Sequence, residues 1–160
     1  MNKRLQLFFS TEPFFDPKNK VELHRGIRLL AVAQFMTSDS WSKPESAIVD
    51  TGAPISLIPY KIWKKCATKI IGEAELKGVI PKKECVMPVK VAKIELRLID
   101  PMYATETIET NAYLAQNDNV PLLIGFEKLL SEFEIFFSYH NKNAFIEEVL
   151  QVEGDKIKIL

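Results

Sequence analysis

Short stretches in which apolar and polar residues alternate restrict how this chain can fold more than any other feature. Between residues 86 and 99 the apolar positions are odd at first, as at Val89 and Val91, and even later, as at Ile94. A period of two places alternate side chains on one face of a sheet, so a strand is predicted, with a bulge or bend near Ala92. Further strands are predicted at residues 27–36, 47–49, 55–58, 107–115, 120–124, 134–139, 144–150 and 156–160.

Two short segments carry a helical pattern instead. Phe126, Leu129, Leu130 and Phe133 follow at i, i+3, i+4 and i+7, which is the spacing of a short amphipathic helix. Pro59 suits the first turn of another short helix. With 160 residues and no internal repeat, the chain is predicted to be one all-β domain with one or two short helices.

The charge balance and the rarer residues exclude several classes of function. Lysine plus arginine equals aspartate plus glutamate at 21 each, so charge favours neither nucleic acid nor an anionic membrane as a partner. No apolar run approaches the roughly 20 residues of a membrane span. His24 and His140 lie far apart without a ligand cluster, so no metal or other cofactor is expected. Two cysteines, Cys66 and Cys85, are too few for a disulfide framework, which favours a soluble protein of the cytoplasm.

Residues 47–53, Ala-Ile-Val-Asp-Thr-Gly-Ala, form the segment that points to chemistry. They place Asp50 at the end of a buried strand and follow it at once with Thr51, Gly52 and Ala53. Two carboxylates that share one proton can hydrolyse a peptide bond without a metal, because one activates water while the other protonates the carbonyl. Thr51 can lock the turn through its hydroxyl, Gly52 permits close approach of the backbone and a bound peptide, and Ala53 keeps the cleft floor small.

The Asp-Thr-Gly-Ala motif after an apolar strand resembles the signature of the retropepsin-like aspartic proteases. Residues 120–125, Val-Pro-Leu-Leu-Ile-Gly, followed by the helical pattern at 126–133, resemble the second hallmark of that family. Residues 76–84 lie where the family places its flap, the hairpin that closes over the substrate. The flap residues that the resemblance implies are Gly78, Val79 and Ile80.

The resemblance spans about residues 27–150 and implies a closed retropepsin-like barrel over 27–160, with 1–26 as an N-terminal extension or dimer-contact segment. It also implies an aspartic endopeptidase that acts on a peptide or protein. No other aspartate is followed by Thr-Gly or Ser-Gly, so one chain holds half a site and a homodimer with Asp50 from each subunit is expected. Viral members have an acidic residue and an arginine where this chain has Pro54 and Phe126.

Two other interpretations stay open at this point. The barrel can be a non-catalytic module that binds a peptide or a partner protein in its cleft. Alternatively, Asp50 caps its own turn in a structural or regulatory dimer, since aspartate commonly closes turns through side-chain hydrogen bonds. A stable monomer without cleavage would favour the binding module, and a distance between the two Asp50 carboxylates well beyond hydrogen-bonding reach would favour the structural dimer.

Overall fold

The computed structural model of the chain describes residues 3–77 and 86–149, and these residues are mostly β. Their strands are β1 Arg4–Gln6, β2 Phe8–Phe15, β3 Glu22–Phe35, β4 Glu45–Val49, β5 Ser56–Ile58, β6 Thr68–Lys77, β7 Val86–Ile99, β8 Ile108–Ala115, β9 Leu123–Ile124, β10 Phe133–Ser138 and β11 Asn143–Glu148. The described ranges also hold helix α1, Tyr60–Trp63, and a 3-10 helix, Leu130–Glu132. The prediction of an all-β chain with short helical pieces is confirmed.

The strands pair in two sheets that share one core. The smaller sheet has the order β1-β11-β10, and the larger has the order β2-β3-β4-β9-β5-β8-β7-β6. β3 also pairs with β7, so the path from β3 through β4, β9, β5, β8 and β7 returns to β3. One hydrophobic cluster takes side chains from every strand of this path and from β1 and β11 of the smaller sheet.

The phase change that the sequence shows in β7 coincides with an irregularity in its pairing. Val89 is buried on one side of the change, and Ala92 and Ile94 are buried on the other. The register between β6 and β7 shifts between Ile70 and Gly72, opposite Ala92 and its neighbour. The predicted position of the bulge is therefore correct, although the extra residue belongs to β6 and not to β7.

The amphipathic helix predicted from Phe126 to Phe133 is wrong. Residues 126–129 form turns, the 3-10 helix covers only Leu130–Glu132, and β10 begins at Phe133. Lys128 has a left-handed φ of 48°, which an α-helix does not admit, and Phe133 is extended because it pairs with Glu148 of β11. The apolar spacing still predicts part of the packing, since Leu129 and Leu130 are buried whereas Phe126 is exposed.

The N-terminal residues take part in the core. Leu5 and Leu7 are buried, and the amide of Leu7 donates a hydrogen bond to the carbonyl of Ala144 at 2.9 Å. β1 pairs with β11, and β3 continues without a break across the boundary expected between residues 26 and 27. The described part of segment 1–26 therefore contributes strands to the fold, whatever part it takes in a subunit contact.

Leu7→Ala should reveal this contribution. The side chain is 2% exposed, so its truncation should lower the free energy of unfolding by about 2–5 kcal/mol. The neighbouring Phe8 is 41% exposed, and Phe8→Ala should cost less than about 1 kcal/mol. Urea unfolding of the two variants measures both values, and equal small losses would contradict a core position for Leu7.

Candidate active site

Asp50 follows the last residue of β4 and is held in place by β9. The two strands run parallel, with Ile48 opposite Leu123 and Val49 opposite Ile124. The amide of Asp50 donates to the carbonyl of Ile124 at 3.0 Å, which extends the pairing one residue beyond the strand. Because its main chain belongs to this ladder, the half-buried Asp50 side chain leaves the sheet from a fixed position.

The turn after Asp50 closes on the aspartate itself. The amide of Gly52 donates to Asp50 Oδ1 at 2.9 Å, and the amide of Ala53 donates to the carbonyl of Asp50 at 3.2 Å. Within the described ranges no group donates a hydrogen bond to Asp50 Oδ2. Thr51 and Gly52 are exposed, so the turn presents this second oxygen beside an open surface where water or another carboxyl can reach it.

Gly125 lies directly after β9 and is buried against the loop that follows Asp50. Its amide donates to Ser56 Oγ at 3.0 Å. A Cβ atom at this position would stand 2.6 Å from the carbonyl carbon of Ile55 and 2.7 Å from the carbonyl oxygen of Ala53. Both neighbours are backbone atoms that cannot rotate away, so the close approach of the two loops requires glycine.

Two backbone hydrogen bonds join the same loops. The amide of Phe126 donates to the carbonyl of Ala53 at 2.9 Å, and the amide of Glu127 donates to the carbonyl of Pro54 at 2.9 Å. The chain leaves β4 at Asp50, passes the end of β9 and returns as β5, which pairs antiparallel with β9. β9 is thus held between the two strands that flank the Asp50 turn.

The structure brings the two sequence motifs into direct contact. Asp50, Thr51, Gly52 and Ala53 form one loop, and Gly125 begins the other. The predicted flap residues Gly78, Val79 and Ile80 lie outside the described residues, between the paired ends of β6 and β7.

Sequence reasoning missed Ser56, which is 3% exposed and accepts the hydrogen bond from the Gly125 amide. Its only signal is a single hydroxyl residue inside the apolar run at 55–58. A buried hydroxyl needs a partner, so such a residue indicates a structural hydrogen bond, although the partner cannot be read from the pattern.

The remaining candidate groups of the described residues were those for a metal ion and for a nucleophilic thiol. In the described parts of the chain, no three His, Cys, Asp or Glu side chains cluster in a way that would hold a metal ion. Burial raises the pKa of the Cys66 thiol from 9.0 to about 11, which agrees with an apolar packing role and opposes one as a nucleophile. As far as the structure is described, its helices are all too short or too polar to cross a membrane.

A comparison of the chain with protein-family models gives no match, and a search among curated proteins gives none.

Gly125→Ala should destabilise the fold strongly. The added methyl group meets backbone atoms at 2.6–2.8 Å, so the loops must separate, at a cost of about 3 kcal/mol. Gly72 of β6 is the matched control, because a Cβ there has nothing within 4 Å, and Gly72→Ala should change stability by less than about 1 kcal/mol. Thermal and urea unfolding measure the difference, and similar values for both variants would contradict the close approach.

Proposed function

We propose that the protein is a retropepsin-like aspartic endopeptidase that acts as a homodimer, with the Asp50 carboxylate of each subunit forming the catalytic pair. The observation that carries the proposal is the close contact between the loop of residues 50–55 and the loop that begins at Gly125. This contact anchors the turn through backbone atoms and leaves Asp50 Oδ2 without a hydrogen bond from any described residue. A carboxylate so placed can accept a proton from water.

The strand order supports the fold that the proposal requires. The pairing path returns to β3, and a closed retropepsin-like barrel is the arrangement that we propose for it. β6 and β7 pair from Thr68 to Lys77 on one side and Val86 to Ile94 on the other, as the base of a flap hairpin would.

Peptide hydrolysis by this mechanism needs two carboxylates. The sequence contains one Asp-Thr-Gly motif, so the second carboxylate must come from another subunit. One Asp50 takes a proton from water as the water oxygen attacks the peptide carbonyl carbon, and the partner's Asp50 gives its proton to the carbonyl oxygen. The resulting gem-diol collapses as the C–N bond breaks. The first carboxyl then protonates the leaving nitrogen, and a gem-diol hydroxyl returns a proton to the second.

The proposed substrate is a peptide or protein, and the proposed compartment is the reducing cytoplasm. The first rests on the resemblance of the Asp-Thr-Gly-Ala motif to the aspartic proteases, and the exposed Thr51 and Gly52 leave the turn open to solvent. The second follows from a sequence with two cysteines, too few for a disulfide framework.

A second candidate function is a non-catalytic module that binds a peptide or partner protein. It is favoured by the bond from the Gly52 amide to Asp50 Oδ1, because any aspartate that caps its turn makes such a bond. A protein that stays monomeric and cleaves no peptide would support this alternative.

Asp50→Asn should abolish peptide cleavage and leave the fold intact. The amide keeps an oxygen that can accept from Gly52, but it cannot act as a general base, so the rate should fall at least about a hundredfold. Asp39→Asn changes an exposed loop aspartate and should retain full activity. Cleavage of a peptide library by both purified variants tests this, and pepstatin-insensitive cleavage by the Asp50 variant would contradict the aspartic mechanism.

Asp50→Asn should also tighten the dimer. Two carboxylates at hydrogen-bonding distance repel one another unless they share a proton, so the neutral variant should associate roughly tenfold or more tightly at about pH 8. The difference should shrink at about pH 5, because acid favours the shared proton of the wild type. Sedimentation equilibrium measures both affinities, with Asp39→Asn as the control. Equal affinities at both pH values would mean that the two Asp50 side chains do not meet.

A further inference from the structure

We propose that Glu127 is a positioning residue that, together with Thr110 and Asn111 of β8, holds the Asp50 turn in the geometry that catalysis requires. This inference rests on the proposed function, and it concerns residues that lie outside the Asp-Thr-Gly-Ala motif. Glu127 comes two residues after Gly125, where the second loop leaves the contact with the first.

Glu127 makes three hydrogen bonds that lead to two different parts of the fold. Its amide donates to the carbonyl of Pro54 at 2.9 Å, which reaches the loop of Asp50. Its carbonyl accepts from Thr110 Oγ1 at 2.6 Å, and its Oε1 accepts from Asn111 Nδ2 at 2.7 Å. One residue therefore ties the catalytic loop to the centre of β8.

The path from this tie to the catalytic carboxylate is short and made of hydrogen bonds. Glu127 holds Pro54, and Pro54 follows Ala53, whose amide donates to the carbonyl of Asp50 at 3.2 Å. The preceding amide, that of Gly52, donates to Asp50 Oδ1 at 2.9 Å. A shift of Glu127 away from β8 would thus be passed to the turn that orients the carboxylate.

The end of the Glu127 side chain is buried, which indicates that it is held in one position. Oε2 is buried and has no hydrogen-bond partner among the described residues, and Thr110 is 1% exposed. An unpaired buried oxygen opposes folding, so its presence needs a compensating reason. The charge-assisted bond that Oε1 accepts from Asn111 supplies one, because a carboxylate accepts a stronger bond than an amide does.

Glu109, on the same strand, shows the contrast with an ordinary surface pair. It precedes Thr110 and forms an exposed ion pair with Lys93 at 3.2 Å. Pairs of this kind contribute little to stability and hold no loop. Glu109→Gln therefore serves as a matched control, because it removes a carboxylate from β8 and leaves the hydrogen bonds of Thr110 and Asn111 to Glu127 in place.

The test exchanges donor and acceptor in the hydrogen bond between Asn111 and Glu127. Asn111→Asp sets two carboxylates against each other, whereas the double variant Asn111→Asp with Glu127→Gln restores an N–H···O bond in the opposite direction. Hydrogen exchange of the Ala53, Phe126 and Glu127 amides should speed up roughly tenfold in the single variant and return towards wild type in the double variant. Amides of β10 and β11 and the Glu109→Gln variant should not change.

Peptide cleavage supplies the second readout. Asn111→Asp should lower kcat roughly tenfold with KM within about twofold, and the double variant should recover most of the loss. With kcat expressed per folded molecule, a merely structural role would change the folded fraction and leave kcat at the wild-type value in both variants. If Asn111→Asp does not fold, Glu127→Met removes the acceptor without adding charge, and it should show the same faster exchange.

The possible results separate this inference from the proposed function. Unchanged exchange in Asn111→Asp or Glu127→Met, or a double variant as impaired as Asn111→Asp, would overturn the positioning role even if the wild type is a protease. A wild type that cleaves no peptide would overturn the protease, and the exchange data alone would then decide whether Glu127 holds the turn.

Discussion

The contact between Gly125 and the loop at residues 53–55 is the constraint on which the rest of the site depends. The loop can cross β9 only because residue 125 has no side chain, and the crossing brings β5 back against β9. β9 has two residues, so it cannot contribute much pairing by itself. It is fixed because β4 lies on one side, β5 on the other, and a buried hydroxyl of Ser56 binds the amide of Gly125.

The site is held mainly by backbone hydrogen bonds. The amides of Asp50, Gly52, Ala53, Phe126 and Glu127 each donate to a group in one of the two loops or in β9. Each such bond is worth about 1 kcal/mol net, but several in one small region make local opening cooperative. Because backbone amides hold the loops together, few side chains are needed for this purpose. Within the described part of the chain, the Asp50 carboxylate is oriented without an ion pair.

The sequence predicted the strands well where the period of two was long. β7, β8 and the β10–β11 hairpin lie where alternation placed them, and the phase change at Ala92 marked the bulge. The same reasoning failed at 126–133, because apolar spacing indicated the burial of Leu129 and Leu130 but not the left-handed backbone at Lys128. Strand pairing with β11 overrode the local preference there.

The sequence likewise predicted some residues of the candidate site and missed others. Asp50 and Gly125 could be singled out from their motifs, because each follows an apolar run and stands in a short recognisable sequence. Ser56 and Glu127 could not, since an isolated polar residue has no period and its partners are far away in the chain. Thr110 and Asn111 lie within a strand that was predicted correctly, yet their link to Glu127 depends on the crossing of the loops.

Pro54 and Phe126, which differ from the viral members of the proposed family, fit this backbone-based arrangement. Pro54 has no amide to satisfy on its exposed turn, and its carbonyl accepts from Glu127. The amide of Phe126 binds Ala53, so its exposed aromatic side chain is not needed to join the loops. An acid–arginine pair holds comparable segments by charge, which salt screens and acid weakens. Here the partly buried hydrogen bond from Asn111 to Glu127 connects the same loop to β8. In the proposed enzyme, the positions beside the turn are consequently free to form an apolar subunit contact.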